Sequence, residues 1–169
     1  MLTVNQPALD FSLPDLDGNL HSLRDYRGRV VVLNFWSAEC PHAEWTDAQL
    51  VAQVETWGDS VALISIASNA NEPPQVLKKV AAQRGIELIL LDEGSAVADL
   101  YQAATTPHLF VIDEKGILRY QGAFDDFNFR RRVAANHYLH DAVEAVLAGA
   151  LPNPAETPAY GCAIVRFEV

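Results

Sequence analysis

One stretch decides the fold, Val30-Val-Val-Leu-Asn-Phe-Trp-Ser-Ala-Glu-Cys-Pro-His-Ala-Glu-Trp45. It opens on an apolar run rich in valine, Val30 to Trp36, which predicts a strand buried on both faces. Pro41 suits the first position of a helix, because its fixed φ is helical and its missing N–H would be unpaired there anyway. The helix is predicted to end near Trp57-Gly58. A single cysteine, Cys40, is thus expected between a buried strand and the first turn of a helix.

The position of Cys40 favours an ionised thiol. A helix N-terminus presents free N–H groups and a positive dipole end, and both stabilise an anion. His42 adds to this effect when it is protonated or donates a hydrogen bond, whereas Glu39 opposes it as a neighbouring carboxylate. We therefore expect a lowered pKa for the Cys40 thiol and a nucleophilic role, with a buried structural cysteine as the alternative. Ala43 stands where a Cys-x-x-Cys motif would carry its second cysteine.

The rest of the chain alternates between strand and helix patterns. Asp15-Leu-Asp-Gly18 is a turn signal that predicts an N-terminal hairpin. The later strands are predicted at residues 61–67, 86–91, 109–113 and 117–121. The later helices are predicted from the segment 71–74 to a stop at Gly85, over 95–102 and over 136–147. This order predicts an α/β protein whose central sheet has parallel pairs and helices on both faces. Residues 1–150 form the predicted domain, and residues 151–169, with three prolines, form an extended C-terminal tail that carries Cys162.

Composition excludes several classes of partner. The net charge of −10 argues against a general nucleic-acid or anionic-membrane binder, since such binding rests on neutralising phosphates. No apolar run reaches the ~18 residues of a membrane span, and the first residues lack the basic and apolar regions of a secretory signal. A cytoplasmic location is therefore expected. Cys40 and Cys162 are the two cysteines, which permits one disulfide or two independent thiols.

Three further candidates have a functional and an ordinary interpretation. Thr106-Pro107 opens a strand, so the bond is a candidate for the cis form, although trans is far commoner for such bonds. Cys40, His42 and His108 are residue types that bind copper or zinc, but no metal-ligand spacing accompanies them. The sequence therefore predicts no metal or cofactor site. Asp125-Asp126 is a candidate carboxylate pair, and a solvated turn is the simpler interpretation.

These residues together resemble the thioredoxin-like superfamily, and in particular its redoxin branch of AhpC/TSA and TlpA-like proteins. The resemblance rests on the N-terminal hairpin, the cysteine strand, the Thr-Pro strand and the hairpin after it. These segments are Ala8–Gly18, Val31–Trp36 with Cys40-Pro41, Thr106–Asp113 and Asp113–Gly122. It implies a thioredoxin-like fold with a central mixed β-sheet flanked by helices, an active-site Cys40 and a cis bond between Thr106 and Pro107. Cys-Pro-His also resembles the disulfide oxidase DsbA, where such a histidine accompanies a strongly acidic thiol.

The ending Tyr160-Gly-Cys-Ala-Ile164 is similar to that of a redoxin subgroup with a lone Cys-Pro and a C-terminal Gly-Cys. In a thiol–disulfide oxidoreductase of that type, Cys40 is the nucleophile and Cys162 the candidate resolving thiol. Cys162 lies 13 positions after Gly149, and an extended proline-containing chain of that length spans about 40 Å, so the tail can reach Cys40. A packed tail cysteine and an intermolecular Cys162 contact in a homodimer remain alternatives.

Two other functions are compatible with this resemblance. Ser37 retains half of the Thr/Ser-x-x-Cys motif of peroxiredoxins, so a peroxidase that acts through a Cys40 sulfenic acid is one alternative. A non-enzymatic binding or redox-sensing module is the other, because a fold does not imply a function. The expected partners are a protein or small-molecule disulfide, or a peroxide, together with a thiol reductant.

Overall fold

The computed structural model describes residues 2–127, 130 and 132–167. The strands are β1 (Ser12–Pro14), β2 (Leu20–Ser22), β3 (Val30–Trp36), β4 (Val61–Ala67), β5 (Ile89–Leu91), β6 (Thr105–Thr106), β7 (His108–Ile112), β8 (Leu118–Gly122) and β9 (Cys162–Ala163). The helices are α1 (Pro41–Trp57), α2 (Pro74–Arg84), α3 (Ala96–Leu100) and α4 (Tyr138–Leu147), and three short 3-10 turns separate some of these elements.

The central sheet has five strands in the order β5-β4-β3-β7-β8. Strand β3 pairs in parallel with β4, as β4 does with β5, whereas β7 runs antiparallel to both β3 and β8. Strands β1 and β2 form the predicted hairpin, and β6 pairs with β9 in a separate two-stranded sheet. The expected thioredoxin-like α/β fold with a central mixed sheet is therefore confirmed.

Side chains of β3 alternate between the two faces of the sheet. Val30 and Val32 pack in a cluster with residues of α1 and α4. Val31 and Leu33 pack in a second cluster with residues of α3 and of the N-terminal segment, including Phe11. Because both faces are covered, every residue of β3 is buried, as its apolar composition predicts. The end of β3 is thereby held rigidly at the point where the chain enters α1.

Some predicted boundaries were wrong by one to three residues. The strand predicted from residue 86 begins at Ile89, because the N–H of Ile86 donates to Ala81 and so completes the end of α2. The helix predicted from residue 136 begins at Tyr138, because the residue before it, His137, has a non-helical backbone with φ −108° and ψ 74°. The helix predicted over 95–102 covers Ala96–Leu100, and the strands predicted at 109–113 and 117–121 are His108–Ile112 and Leu118–Gly122.

The C-terminal tail crosses the edge of the sheet before it reaches Cys40. The N–H of Gln121 donates to Ala155, and the N–H of Thr157 donates back to Gln121. Cys162 and Ala163 then form β9 opposite β6. The tail is therefore docked at several points. Among the described residues, no helix is long and apolar enough to cross a membrane.

Candidate active site

The two cysteines meet at the start of helix α1. Cys40 is the N-cap residue of this helix, and Pro41 follows it in the first helical turn. Cys40 and Cys162 are joined in a disulfide with a Cα–Cα distance of 6.1 Å, inside the usual range for such bonds. Cys40 is buried, and Cys162 is half-buried. The tail thus brings a second thiol to Cys40 in the absence of a Cys-x-x-Cys motif.

Backbone pairing between β6 and β9 sets the position of Cys162. Thr106 is paired with Cys162 and Thr105 with Ala163, in antiparallel register. Gly161 passes so close to β6 that a Cβ atom added there would lie 2.2 Å from the carbonyl oxygen of Thr106. Only glycine fits this approach without a shift of the backbone, which explains why glycine precedes the tail cysteine.

The peptide bond between Thr106 and Pro107 is cis, as the resemblance implied. The carbonyl oxygen of Thr106 lies 3.1 Å from Sγ of Cys40. In the reduced protein this oxygen can accept a hydrogen bond from the Cys40 thiol, whereas its partial negative charge opposes a thiolate. The Thr106 hydroxyl is buried and has no hydrogen-bond partner among the described residues. The backbone of Thr106 thus pairs with Cys162 and places its carbonyl oxygen beside Cys40.

His42 lies in the first turn of α1 and packs edge-to-face against Tyr160 of the tail, with ring centroids 4.9 Å apart. Burial lowers the pKa of His42 below its ordinary value of 6.5, which favours the neutral imidazole. This shift opposes the charge assistance that a protonated His42 would supply to a Cys40 thiolate. The terminus of α1 provides a second source of stabilisation for that anion.

Ser37 is bound to a buried carboxylate that the sequence analysis missed. Its hydroxyl donates to Glu72 Oε2 at 2.5 Å and accepts from the backbone N–H of Glu39 at 3.2 Å. The backbone N–H of Ala38 donates to Glu72 Oε1 at 2.6 Å. Glu72 follows β4, at the same edge of the sheet as the end of β3, and that placement was the available signal. Ser37 therefore helps to hold the Cys40 loop, residues 37–40 between β3 and α1, in place.

Residues 4–121 match the sequence model of the AhpC/TSA family. The chain belongs to the AhpC/TSA family. A relative, the thiol-disulfide oxidoreductase ResA of Geobacillus thermodenitrificans, is 32% identical over 116 residues, which cover 68% of this chain. The match covers 66% of the ResA chain, so it spans just under two thirds of that protein.

Two solved structures resemble this AhpC/TSA family member over its whole length. A hypothetical protein of Sinorhizobium meliloti 1021 is 29% identical with a TM-score of 0.89, and the alignment covers 100% of this chain and 97% of that one. An uncharacterized conserved protein of Geobacillus kaustophilus is 27% identical with a TM-score of 0.90, covering 100% and 95%. Both alignments include the tail, which lies beyond the segment that matches the family model.

A second cluster in this AhpC/TSA protein, formed by Trp36, Asp47 and Arg84, contacts the Cys40 loop. The Arg84 guanidinium donates to the carbonyl oxygens of Ser37 and Ala38 and, at 2.9 Å, to Oδ2 of Asp47. Trp36 Nε1 donates to the same Asp47 oxygen at 2.8 Å. Burial raises the pKa of Asp47, and the hydrogen bonds from Trp36 and Arg84 oppose that rise. Sequence patterns did not indicate this cluster, because its members come from β3, α1 and α2.

The remaining candidates of the AhpC/TSA chain have structural partners. His108 is buried, its ring stacks on Phe110, and its Nδ1 accepts a hydrogen bond from the backbone N–H of Ala104. Asp125 and Asp126 each accept hydrogen bonds from backbone N–H groups of their own loop. In the described part of the chain, no three His, Cys, Asp or Glu side chains group as metal ligands would.

Proposed function

We propose that this protein is a thiol–disulfide oxidoreductase of the redoxin type that cycles between a Cys40/Cys162 dithiol and the Cys40–Cys162 disulfide. The observation that carries this proposal is the seating of Cys162 against Cys40 by β9, with a Cα–Cα distance of 6.1 Å. Membership of the AhpC/TSA family and the likeness to a relative named as a thiol-disulfide oxidoreductase support it.

The reaction proceeds by two exchanges at sulfur. The Cys40 thiolate attacks one sulfur of a substrate disulfide, forms a mixed disulfide and releases the other substrate sulfur as a thiolate. The Cys162 thiolate then attacks Cys40, breaks the mixed disulfide and releases the second substrate thiol. Two electrons have passed to the substrate, and the protein holds the Cys40–Cys162 disulfide. An external dithiol reductant returns both cysteines to the reduced state.

The surroundings of Cys40 suit the first of these steps. The N-terminal N–H groups of α1 stabilise the thiolate both as the attacking group and as the leaving group when the disulfide is reduced. Cys40 is covered by the tail, so the tail has to move aside before a substrate disulfide reaches it. Redox state and tail position are therefore linked in this mechanism.

We propose a protein disulfide as the substrate class. Exposed aromatic side chains line a cleft beside His42 and Pro107: Trp45 is stacked on Phe127, and Tyr160 packs against His42. Such side chains provide contact area for a polypeptide and are unnecessary for a peroxide. The cytoplasmic location and the homodimer stay predictions from the sequence.

The test compares the wild-type protein with Cys40→Ser and Cys162→Ser in the reduction of insulin disulfides. Wild-type protein should reduce insulin, and Cys40→Ser should be inactive. Cys162→Ser should accumulate a mixed disulfide with the substrate, detectable by mass spectrometry. Rapid peroxide-dependent oxidation of Cys40 without any reduction of insulin would contradict the proposal and favour the peroxidase alternative.

A further inference from the structure

Residues 69–72, which follow β4, hydrogen-bond to both segments that carry the cysteines. Nδ2 of Asn69 donates to Glu72 Oε2 at 2.6 Å, and Oδ1 of Asn69 accepts from the backbone N–H of Val165 at 2.7 Å. The carbonyl oxygen of Val165 accepts in turn from the N–H of Ala70 at 2.8 Å. Val165 is three positions after Cys162, so this loop holds the tail immediately beyond the disulfide.

The same loop holds the chain immediately before Cys40. The Glu72 carboxylate is only 7% exposed, and its two oxygens accept from the Ser37 hydroxyl and the Ala38 N–H. Ser37 and Ala38 lie three and two positions before Cys40. The Asn69 amide therefore bridges the carboxylate that binds the Cys40 loop and the backbone that follows Cys162.

We propose that Asn69 and Glu72 are positioning residues that favour the docked position of the tail in the reduced protein, so that the Cys162 thiol returns beside Cys40 after the tail has moved aside for a substrate. The inference rests on the proposed function, in which Cys162 must return to Cys40 in every cycle. A tethered tail raises the effective concentration of the resolving thiol, because little conformational entropy is lost when the disulfide forms. Without this contact, the segment that follows Cys162 loses one of its anchors, and more of its ordering takes place as the disulfide closes.

The amide of Asn69 is specific to this role. It donates to a carboxylate with its nitrogen and accepts from a backbone N–H with its oxygen. Aspartate at position 69 would keep the acceptor for Val165, but would set a second carboxylate against Glu72 at hydrogen-bond distance. Alanine would remove both bonds and leave the other anchors of the tail in place.

The test measures the equilibrium constant for forming the Cys40–Cys162 disulfide in glutathione redox buffers, with the two states separated by thiol alkylation and mass spectrometry. Asn69→Ala should lower this constant on the order of tenfold, since the hydrogen bond to the Val165 N–H and the bond to Glu72 that orients the amide are both lost. Asn71→Ala is the matched control: Asn71 is an exposed residue of the same type in the same loop, and its variant should match the wild type.

A second variant approaches the same bond from the tail. Val165→Pro removes the N–H that Asn69 accepts, and Val165→Ala retains it. The proline variant should lower the constant about threefold, the alanine variant should not, and Asn69→Ala combined with Val165→Pro should show less than the product of the single effects. Val165 lies outside the core, so the two single variants at this position test the proposal even if Asn69→Ala proves unstable.

The outcomes separate a positioning role from a purely structural one. A structural role would lower the free energy of unfolding of Asn69→Ala in the reduced and oxidised proteins alike, and would leave the disulfide equilibrium constant unchanged. That result, or wild-type constants in both Asn69→Ala and Val165→Pro, would overturn the inference. The measurement uses no protein substrate, so failure to reduce insulin would count against the proposed function alone.

Discussion

Replacing Gly161 with alanine should weaken the Cys40–Cys162 disulfide. The added Cβ would lie 2.2 Å from the Thr106 carbonyl oxygen, and ordinary contact begins at 3.4 Å. The tail or β6 must therefore move by about 1.2 Å, the difference between these two distances. If Cys162 followed this shift directly away from Cys40, the 6.1 Å separation of the cysteine Cα atoms would pass the ~7 Å at which disulfides cease to form without backbone movement.

We expect the equilibrium constant for disulfide formation in Gly161→Ala to fall at least tenfold, about 1.4 kcal/mol. Glutathione redox titration with alkylation and mass spectrometry measures it directly. Ala163→Ser is the control, because it adds one atom at an exposed position of β9, two residues after Gly161, and should leave the constant unchanged. Wild-type behaviour of Gly161→Ala would refute the argument that close backbone pairing with Thr106 seats Cys162.

Two other perturbations test the buried groups around the site. Asp47→Ala should lower the free energy of unfolding of the reduced protein by about 3 kcal/mol, because Arg84 and Trp36 would lose their shared acceptor in the interior. Denaturant titration measures this change. Asp47→Asn keeps an acceptor and should lower the free energy of unfolding by less. Burial lowers the pKa of His108 to about 4, so between pH 6.5 and 4 the unfolded chain binds more protons than the folded one, and the free energy of unfolding falls with falling pH by up to about 3 kcal/mol. Denaturant titrations at pH 7 and 4.5 should show a smaller pH dependence for His108→Asn than for the wild type, and equal dependences would contradict this assignment.

Much of the fold could be predicted because it depends on local patterns. Strands β3 and β4 have the predicted bounds, and α1 begins at Pro41, because apolar runs and a helix-initiating proline report the conformation of their own segment. Errors arose where a capping bond sets the boundary, as at Ile86, whose N–H donates to the Ala81 carbonyl oxygen at the end of α2. A pattern within one segment carries no information about such a partner.

The candidate site was likewise predictable only in part. The sequence by itself determined that Cys40 stands at a helix start and that Gly161 precedes Cys162, since both are facts of adjacent residues. Only the tertiary structure decided that these cysteines, 122 positions apart, meet opposite Thr106, and that Asn69 and Glu72 bind the chain on either side of them. The physical reason is that these contacts form only when the ends of β3 and β4 and the tail come together at one edge of the sheet. A sequence pattern describes its own segment and does not show which distant segment will contact it.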